Sequence, residues 1–270
     1  MLIVDKSKFS RWFNRNTINE LLRQELSEEI IGKIQKSELL YKELECNYRN
    51  EFFYKNTLFN KLLLGRYSLN TSLAMSEIEI NKSKADFALI NKKNSFVVEI
   101  KTDLDTLDKL IYQIEDYYKV FSKVYVLTSE NYYYQVYRLI RETNVGLMVL
   151  TSKNTISIKK KAMEDYSKLS YENLFQLLRK AEYQNLIEEY FKELPEIKPI
   201  FKYGVYLEKF KTIELKEAQN LVFKRLLRRI NAFDVEFLYK VPLELRWLVY
   251  QSKLNEKNFK RLLNNLKGEI

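Results

Sequence analysis

Between Leu64 and Met75 the spacing of apolar residues in this chain switches from three or four to two, and that switch fixes the order of its elements. Upstream, Trp12, Leu21, Leu22, Ile30, Ile31 and Ile34 recur at helical intervals, which predicts two or three helices over 9–45. The run Asn50–Leu64 (NEFFYKNTLFNKLLL) keeps the helical period and stops at Gly65. Downstream, Met75–Ile80 (MSEIEI) alternates polar and apolar as a half-buried strand does. Two more short strands follow, Ala85–Ile90 (ADFALI) and Ser95–Lys101 (SFVVEIK). The turn-like runs Asn81-Lys82-Ser83-Lys84 and Asn91-Lys92-Lys93-Asn94 separate them.

Beyond Lys101 strands and helices alternate. Asp105 or Thr106 can cap a helix running to about Val120, with Asp108 in its first turn. Lys123–Thr128 (KVYVLT) reads as a buried strand, 131–142 as a helix, Val145–Leu150 (VGLMVL) as another buried strand, and Ile156–Lys160 as a short basic one. After Met163 the pattern is helical, including 171–192 and 213–230, with Pro195 and Pro199 bracketing a break. A three-strand meander followed by strand–helix–strand alternation predicts an α/β protein with a mixed central sheet flanked by helices. The expected division is an N-terminal helical segment (1–48), a sheet core (49–162) and a helical C-terminal region (163–270).

Composition narrows the chemistry. The 270 residues include 5 Gly and 3 Pro, which favours long uninterrupted elements over tight turns. There is no histidine, which excludes a histidine general base, nucleophile or zinc ligand. Carboxylates, lysine and a hard cation remain as tools for hydrolysis. Cys46 is the single cysteine and cannot close an internal disulfide. No run approaches the ~18 apolar residues of a membrane span, and MLIVDKSKFSRWF lacks the apolar stretch of a signal peptide. A cytoplasmic protein without a membrane partner is expected. The net charge is +10, and residues 201–270 hold 15 Lys/Arg against 8 Asp/Glu, a balance that suits a polyanion.

One constellation stands out. In an extended strand residues two apart share a face, so Glu99 and Lys101 project together while Val98 and Ile100 face the other way. Asp86 opens the preceding strand 13 residues earlier, and antiparallel pairing brings it toward Glu99. Two carboxylates with the main-chain carbonyl of Ile100 make an oxygen-rich site suited to Mg²⁺. Lys101 stands beside the water such an ion would activate. The Glu-x-Lys triplet alone carries little, since it recurs at Glu196-Ile197-Lys198 and Glu214-Leu215-Lys216. Only the copy at 99–101 ends a strand that follows an Asp-bearing strand.

In that context the stretch from Asn50 to about Leu150 resembles the PD-(D/E)XK, or restriction-endonuclease-like, nuclease superfamily. Ala85-Asp86 and Glu99-Ile100-Lys101 match its motif, with Ala85 in place of the proline. Within the superfamily, KADFALI…VVEIKTDLDTLDKLIYQIEDYYKVFSKVYVLT looks like a group of bacterial and phage proteins. The resemblance implies an αβββαβ core and Mg²⁺-dependent phosphodiester hydrolysis, with Mn²⁺ able to substitute. Asp86 and Glu99 would be metal ligands and Lys101 catalytic. A helix glutamate often completes such a site, which points to Glu51, with Glu77 as the alternative. Gln113 and Tyr117, at i and i+4 on the next helix, look like the Gln-x-x-x-Tyr element that faces active site and substrate in the RecB-type and phage-exonuclease branches.

The expected partner is therefore DNA, with RNA the alternative, in phage defence or mobile-element biology. A homodimer would place two active sites on two strands. Lys224, Arg225, Arg228 and Arg229 fall on one helix face and are candidates for phosphate contacts. Lys253, Lys257, Lys260 and Arg261 repeat the device. The competing class is an inactive nucleic-acid-binding or protein-interaction module on the same scaffold.

Overall fold

The structure, a computed structural model, describes residues 11–193, 197–230 and 237–267. Pro195 and Glu196 therefore lie outside the described residues. In chain order the helices before the sheet are α1 (Arg15–Leu21), α2 (Glu28–Gln35), α3 (Ser37–Asn47) and α4 (Glu51–Leu58). The strands and their crossover helices are β1 (Ser72–Met75), β2 (Ile78–Ile80), β3 (Ser83–Ala85), β4 (Phe87–Asn91), β5 (Phe96–Lys101), α5 (Leu110–Tyr117), β6 (Val124–Ser129), α6 (Tyr133–Ile140), β7 (Gly146–Leu150) and β8 (Ile156–Lys160). Helices α7 (Tyr171–Gln176), α8 (Lys180–Phe191), α9 (Lys202–Phe210), α10 (Leu215–Leu227), α11 (Arg246–Ser252) and α12 (Glu256–Lys267) follow.

The chain packs as two compact units. One takes the described residues up to Asn70, Thr151–Ile156 and those from 237 onward; the other takes Thr71–Leu150 and Ser157–Ile230. The expected division at 48 and 162 is thus not the one the packing makes, because helices α7 to α10 share a core with the sheet. Leu174, Phe175, Tyr206, Phe210, Val222 and Leu226 are buried with Ala88, Val97, Val124 and Leu147. No helix among the described residues is long and apolar enough to cross a membrane.

The first unit is helical. Asn50 caps α4 by accepting from the Phe53 amide at 3.1 Å. After Leu58 the helix widens to a π-helical stretch, Phe59–Leu64. Buried Asn56 holds neighbouring elements together: its amide donates to Tyr41 Oη at 2.8 Å and its oxygen accepts from the Trp247 amide at 3.2 Å.

The second unit holds a six-stranded mixed sheet in the order β1-β4-β5-β6-β7-β8 and a two-stranded ladder β2-β3. Strand β4 runs antiparallel to β1 and β5, whereas β5, β6 and β7 run parallel. All six residues of β5 are buried, as expected of a central strand covered on both faces. Gly146 is required by packing: a Cβ there would meet the Tyr125 ring at 2.3 Å. The strands expected at 95–101, 123–128, 145–150 and 156–160 form within a residue or so at each end, because unbroken β-branched runs bounded by turns leave little else.

Two expectations change. Met75–Ile80 and Ala85–Ile90 are not continuous strands; each is interrupted, at Ser76-Glu77 and at Asp86. The crossover helix starts at Leu110 rather than near Asp105, and Lys109 at its N-cap makes no side-chain cap. Asp105 instead turns back to accept from the Thr102 amide at 2.8 Å and its hydroxyl at 2.7 Å, closing the loop after β5.

Candidate metal centre

The double interruption builds the site. Met75 faces Ala88 on one side of it and Ile78 faces Ala85 on the other, so the hairpin keeps one register throughout. Stepping one residue from the Ile78–Ala85 pair puts Glu77 opposite Asp86. Like charges directly opposite on paired strands repel, and here the ladder opens. Glu77 takes the left-handed conformation (φ 53°), which costs a residue with a Cβ about 1–2 kcal/mol. The two side chains each offer a carboxylate oxygen within 4.8 Å of the other.

Each of these acids has a positively polarised neighbour. Lys84 Nζ lies 2.7 Å from Glu77 Oε2. The Ile100 amide donates to Asp86 Oδ2 at 2.7 Å, which ties the bend to β5. Ile100 itself is buried. Asp86 is half-buried and Glu77 exposed.

Glu99 and Lys101 do share a face of β5, as their spacing requires. Lys101 Nζ sits 2.8 Å from Glu99 Oε1. Both are deeply placed, Glu99 with 1% and Lys101 with 8% of its surface exposed. Burial pushes the Glu99 carboxyl above its ordinary range, against the pull of Lys101 and of hydrogen bonds from Lys101, Tyr117 and Gln113.

Helix α5 closes the arrangement from one side. Gln113 Oε1 accepts from Lys101 Nζ at 2.9 Å, and the Tyr117 hydroxyl hydrogen-bonds Glu99 Oε2. The same hydroxyl lies 3.1 Å from the Lys84 carbonyl oxygen, beside Asp86 in the chain. Burial first, then the Glu99 charge, push the Tyr117 phenol far up, so it remains a donor. Gln113 and Tyr117 thus both touch the Glu99–Lys101 pair, as the Gln-x-x-x-Tyr resemblance implies. Tyr117 is fully buried, however, and cannot be a nucleic-acid contact; it is a brace for Glu99.

One residue that sequence reasoning missed fixes the helix in place. Asp116 accepts from Asn81 Nδ2 at 2.6 Å, from Ser83 Oγ at 2.8 Å and from the Lys82 amide at 3.3 Å, gripping the tip of the hairpin. Burial opposes its ionisation, but hydrogen bonds from Lys119, Ser83 and Asn81 outweigh that and hold its carboxyl below the usual range. Its partners on the hairpin are more than thirty residues away, which leaves no local pattern to read.

The remaining candidates make the following contacts, each within its own unit. Glu51 belongs to the first unit, where it opens α4, stands exposed and pairs with Lys55 on the same helix. Asp103, in the loop after β5, accepts from Ser129 Oγ at the end of β6 and from Asn131 Nδ2. The expected phosphate-binding face on α10 is largely a clamp between helices. Arg225 is buried and lies 2.8 Å from Glu189, Arg228 holds the same carboxylate in a bidentate grip, and Arg229 pairs with Glu182 and the Leu177 carbonyl. Arg228 and then Arg225 hold the Glu189 carboxyl down to about 2. Among the described residues, Lys224 alone of the four is exposed without an ion pair. In the first unit, Lys260 pairs with Glu256 and Arg261 donates to the Leu22 carbonyl, at 2.7 and 3.3 Å.

Among known proteins, a family model described as Bacteriophage P4 protein cII matches residues 45–246. Neither the curated proteins nor the solved structures give a match.

Proposed function

The chain belongs to the Bacteriophage P4 protein cII family, whose matched span contains every residue of the centre just described, and for that span we propose a metal-dependent nuclease of the PD-(D/E)XK type. The observation that carries this reading is the convergence of Asp86, Glu99 and Lys101 with Glu77 and Gln113 around the end of β5. The order of α4, the broken hairpin, β5, α5 and β6 supports a restriction-endonuclease-like core.

The donor set fits a hard divalent cation, since Glu77 and Asp86 offer only oxygen and stand close enough to share one ion after a small adjustment. Mg²⁺, or Mn²⁺ in its place, would lower the pKa of a bound water and stabilise charge on a phosphate. Lys101 holds a proton-rich ammonium beside Glu99 and is kept in line by Gln113, so it can orient a water or neutralise a phosphate oxygen. Tyr117 fixes the Glu99 carboxylate from behind. DNA is the substrate we favour, RNA the alternative, and phage defence or mobile-element biology the setting.

One observation favours a second reading. Glu99 and Lys101 already neutralise each other and are almost wholly buried, as in a structural ion pair on an inactive nucleic-acid-binding or protein-interaction scaffold. Purified protein incubated with linear, nicked and single-stranded DNA and with RNA, in Mg²⁺, Mn²⁺ or EDTA, separates the two. Metal-dependent cleavage lost in Lys101→Ala and Asp86→Asn supports the nuclease. Nucleic-acid binding without cleavage, unchanged in both variants, supports the inactive scaffold.

A further inference from the structure

A cleft of about 480 Å³ lies at the opposite end of β5 from Lys101. At ~3.3 Å per residue the length of β5 puts it roughly 17–20 Å from Lys101. Its walls come from the β4–β5 loop, the start of β6, the segment after β8 and the exposed side of α10. Four lysines line it, Lys92, Lys93, Lys123 and Lys224, against one acid, Glu164.

The charge there is not balanced. Lys123 is held 3.0 Å from Glu164 and donates to Asn94 at 3.0 Å. Lys92, Lys93 and Lys224 have no carboxylate within ion-pair distance among the described residues. The contrast at the C-terminal end of α10 is direct: of the four basic residues at 224–229, the three arginines are each paired to a glutamate, and the lysine that faces the cleft is not, among the described residues.

The loop that presents two of the lysines is pre-formed. Asn91 Oδ1 accepts from the Lys93 amide at 3.0 Å, Ser95 Oγ donates to the Asn91 carbonyl at 2.8 Å and accepts from its amide at 3.0 Å. The backbone that carries Lys92 and Lys93 is thus ordered before a ligand arrives. Behind them the cleft is mixed: Phe223, Leu227 and the Tyr166 ring are flat or apolar, while Asn220, Gln219 and Ser122 are polar. Lys216 stacks over Tyr166 with Nζ 4.3 Å from the ring centre, adding a further positive charge.

Lysine ammonium groups recognise phosphate as point charges. The volume falls in the ~300–1,000 Å³ range of small-molecule sites, enough for a mononucleotide and too small to enclose a duplex. We propose that this cleft binds a nucleoside phosphate, its phosphates held by Lys92, Lys93 and Lys224 and its base set against Tyr166 and Phe223.

The test is independent of nuclease activity, because it is run in EDTA on the full chain. Binding of ATP, of inorganic phosphate and of a short single-stranded oligonucleotide is measured by calorimetry. The variants are Lys224→Ala, Lys92→Ala/Lys93→Ala and Arg228→Ala, each checked for a native melting curve. The expected result is saturable ATP binding, weakened about tenfold by Lys224→Ala and by the double variant and unchanged by Arg228→Ala. Absence of saturable ATP binding overturns the proposal, as does equal weakening by Arg228→Ala. Inorganic phosphate binding as tightly as ATP removes the nucleoside from it, and oligonucleotide binding that ATP cannot displace assigns the cleft to a nucleic-acid backbone instead.

Discussion

Glu77 and Asp86 face one another across the break in a hairpin that otherwise keeps a single register, their carboxylate oxygens within 4.8 Å. Like charges so placed repel, and a shared cation would remove that repulsion. Melting curves should therefore rise with added Mg²⁺, by an amount that grows logarithmically once the ion exceeds its Kd. Glu77→Gln and Asp86→Asn should each abolish most of that rise. A Mg²⁺ response in either variant as large as the parent's would show that these two acids do not share an ion.

The Glu99–Lys101 pair gives a second expectation. Both charges are buried, so removing one leaves the other without compensation, a change that costs about 3–5 kcal/mol. Lys101→Met and Glu99→Gln should each destabilise by that order in urea titration. The double variant should lose less than the sum of the two. Strict additivity would mean the 2.8 Å contact carries no coupling.

Tyr117→Phe isolates the brace. The ring keeps its place in the core, but Glu99 Oε2 loses its hydroxyl partner, at a cost of about 1–3 kcal/mol. If the nuclease reading is right, cleavage should fall with little change in substrate affinity, because the hydroxyl acts only through Glu99. Steady-state kinetics on a DNA substrate check this: a change confined to KM would contradict it.

Asp116 sets an acid limit. Its carboxyl is depressed in the folded protein, so the stability it confers is present above the ordinary carboxylate range and lost as pH falls through the lower folded value. Asp116→Asn should be less stable than the parent at neutral pH, and the gap should close on acidification. Amide exchange at Lys82 and Ser83 should quicken in the variant, since the hairpin tip is released from α5. A gap that is constant with pH would rule out ionised Asp116 as the anchor.

Much of the scaffold was readable because it is local. A β-branched run such as Lys123–Thr128, or the Asn50 cap ahead of Phe53, has its cause within a few residues. The Glu99–Lys101 geometry was readable for the same reason: alternation along a strand is set by the backbone itself. Its partner Gln113 was expected from the resemblance to the Gln-x-x-x-Tyr element, since spacing alone puts it only on one helix face with Tyr117.

What sequence determined by itself, then, was the α/β class with a mixed sheet, the absence of histidine chemistry, and the side-by-side placement of Glu99 and Lys101. Tertiary structure decided the rest. It set Glu77 opposite Asp86 through strand register, buried Tyr117 as a brace, and gave Asp116 a hairpin to hold. It also turned three arginines of the basic stretch inward to Glu182 and Glu189, leaving Lys224 to the cleft. The physical reason is common to all of these. A charge or hydroxyl acquires its role from whichever group packing brings within about 3 Å, and packing joins residues that are dozens of positions apart.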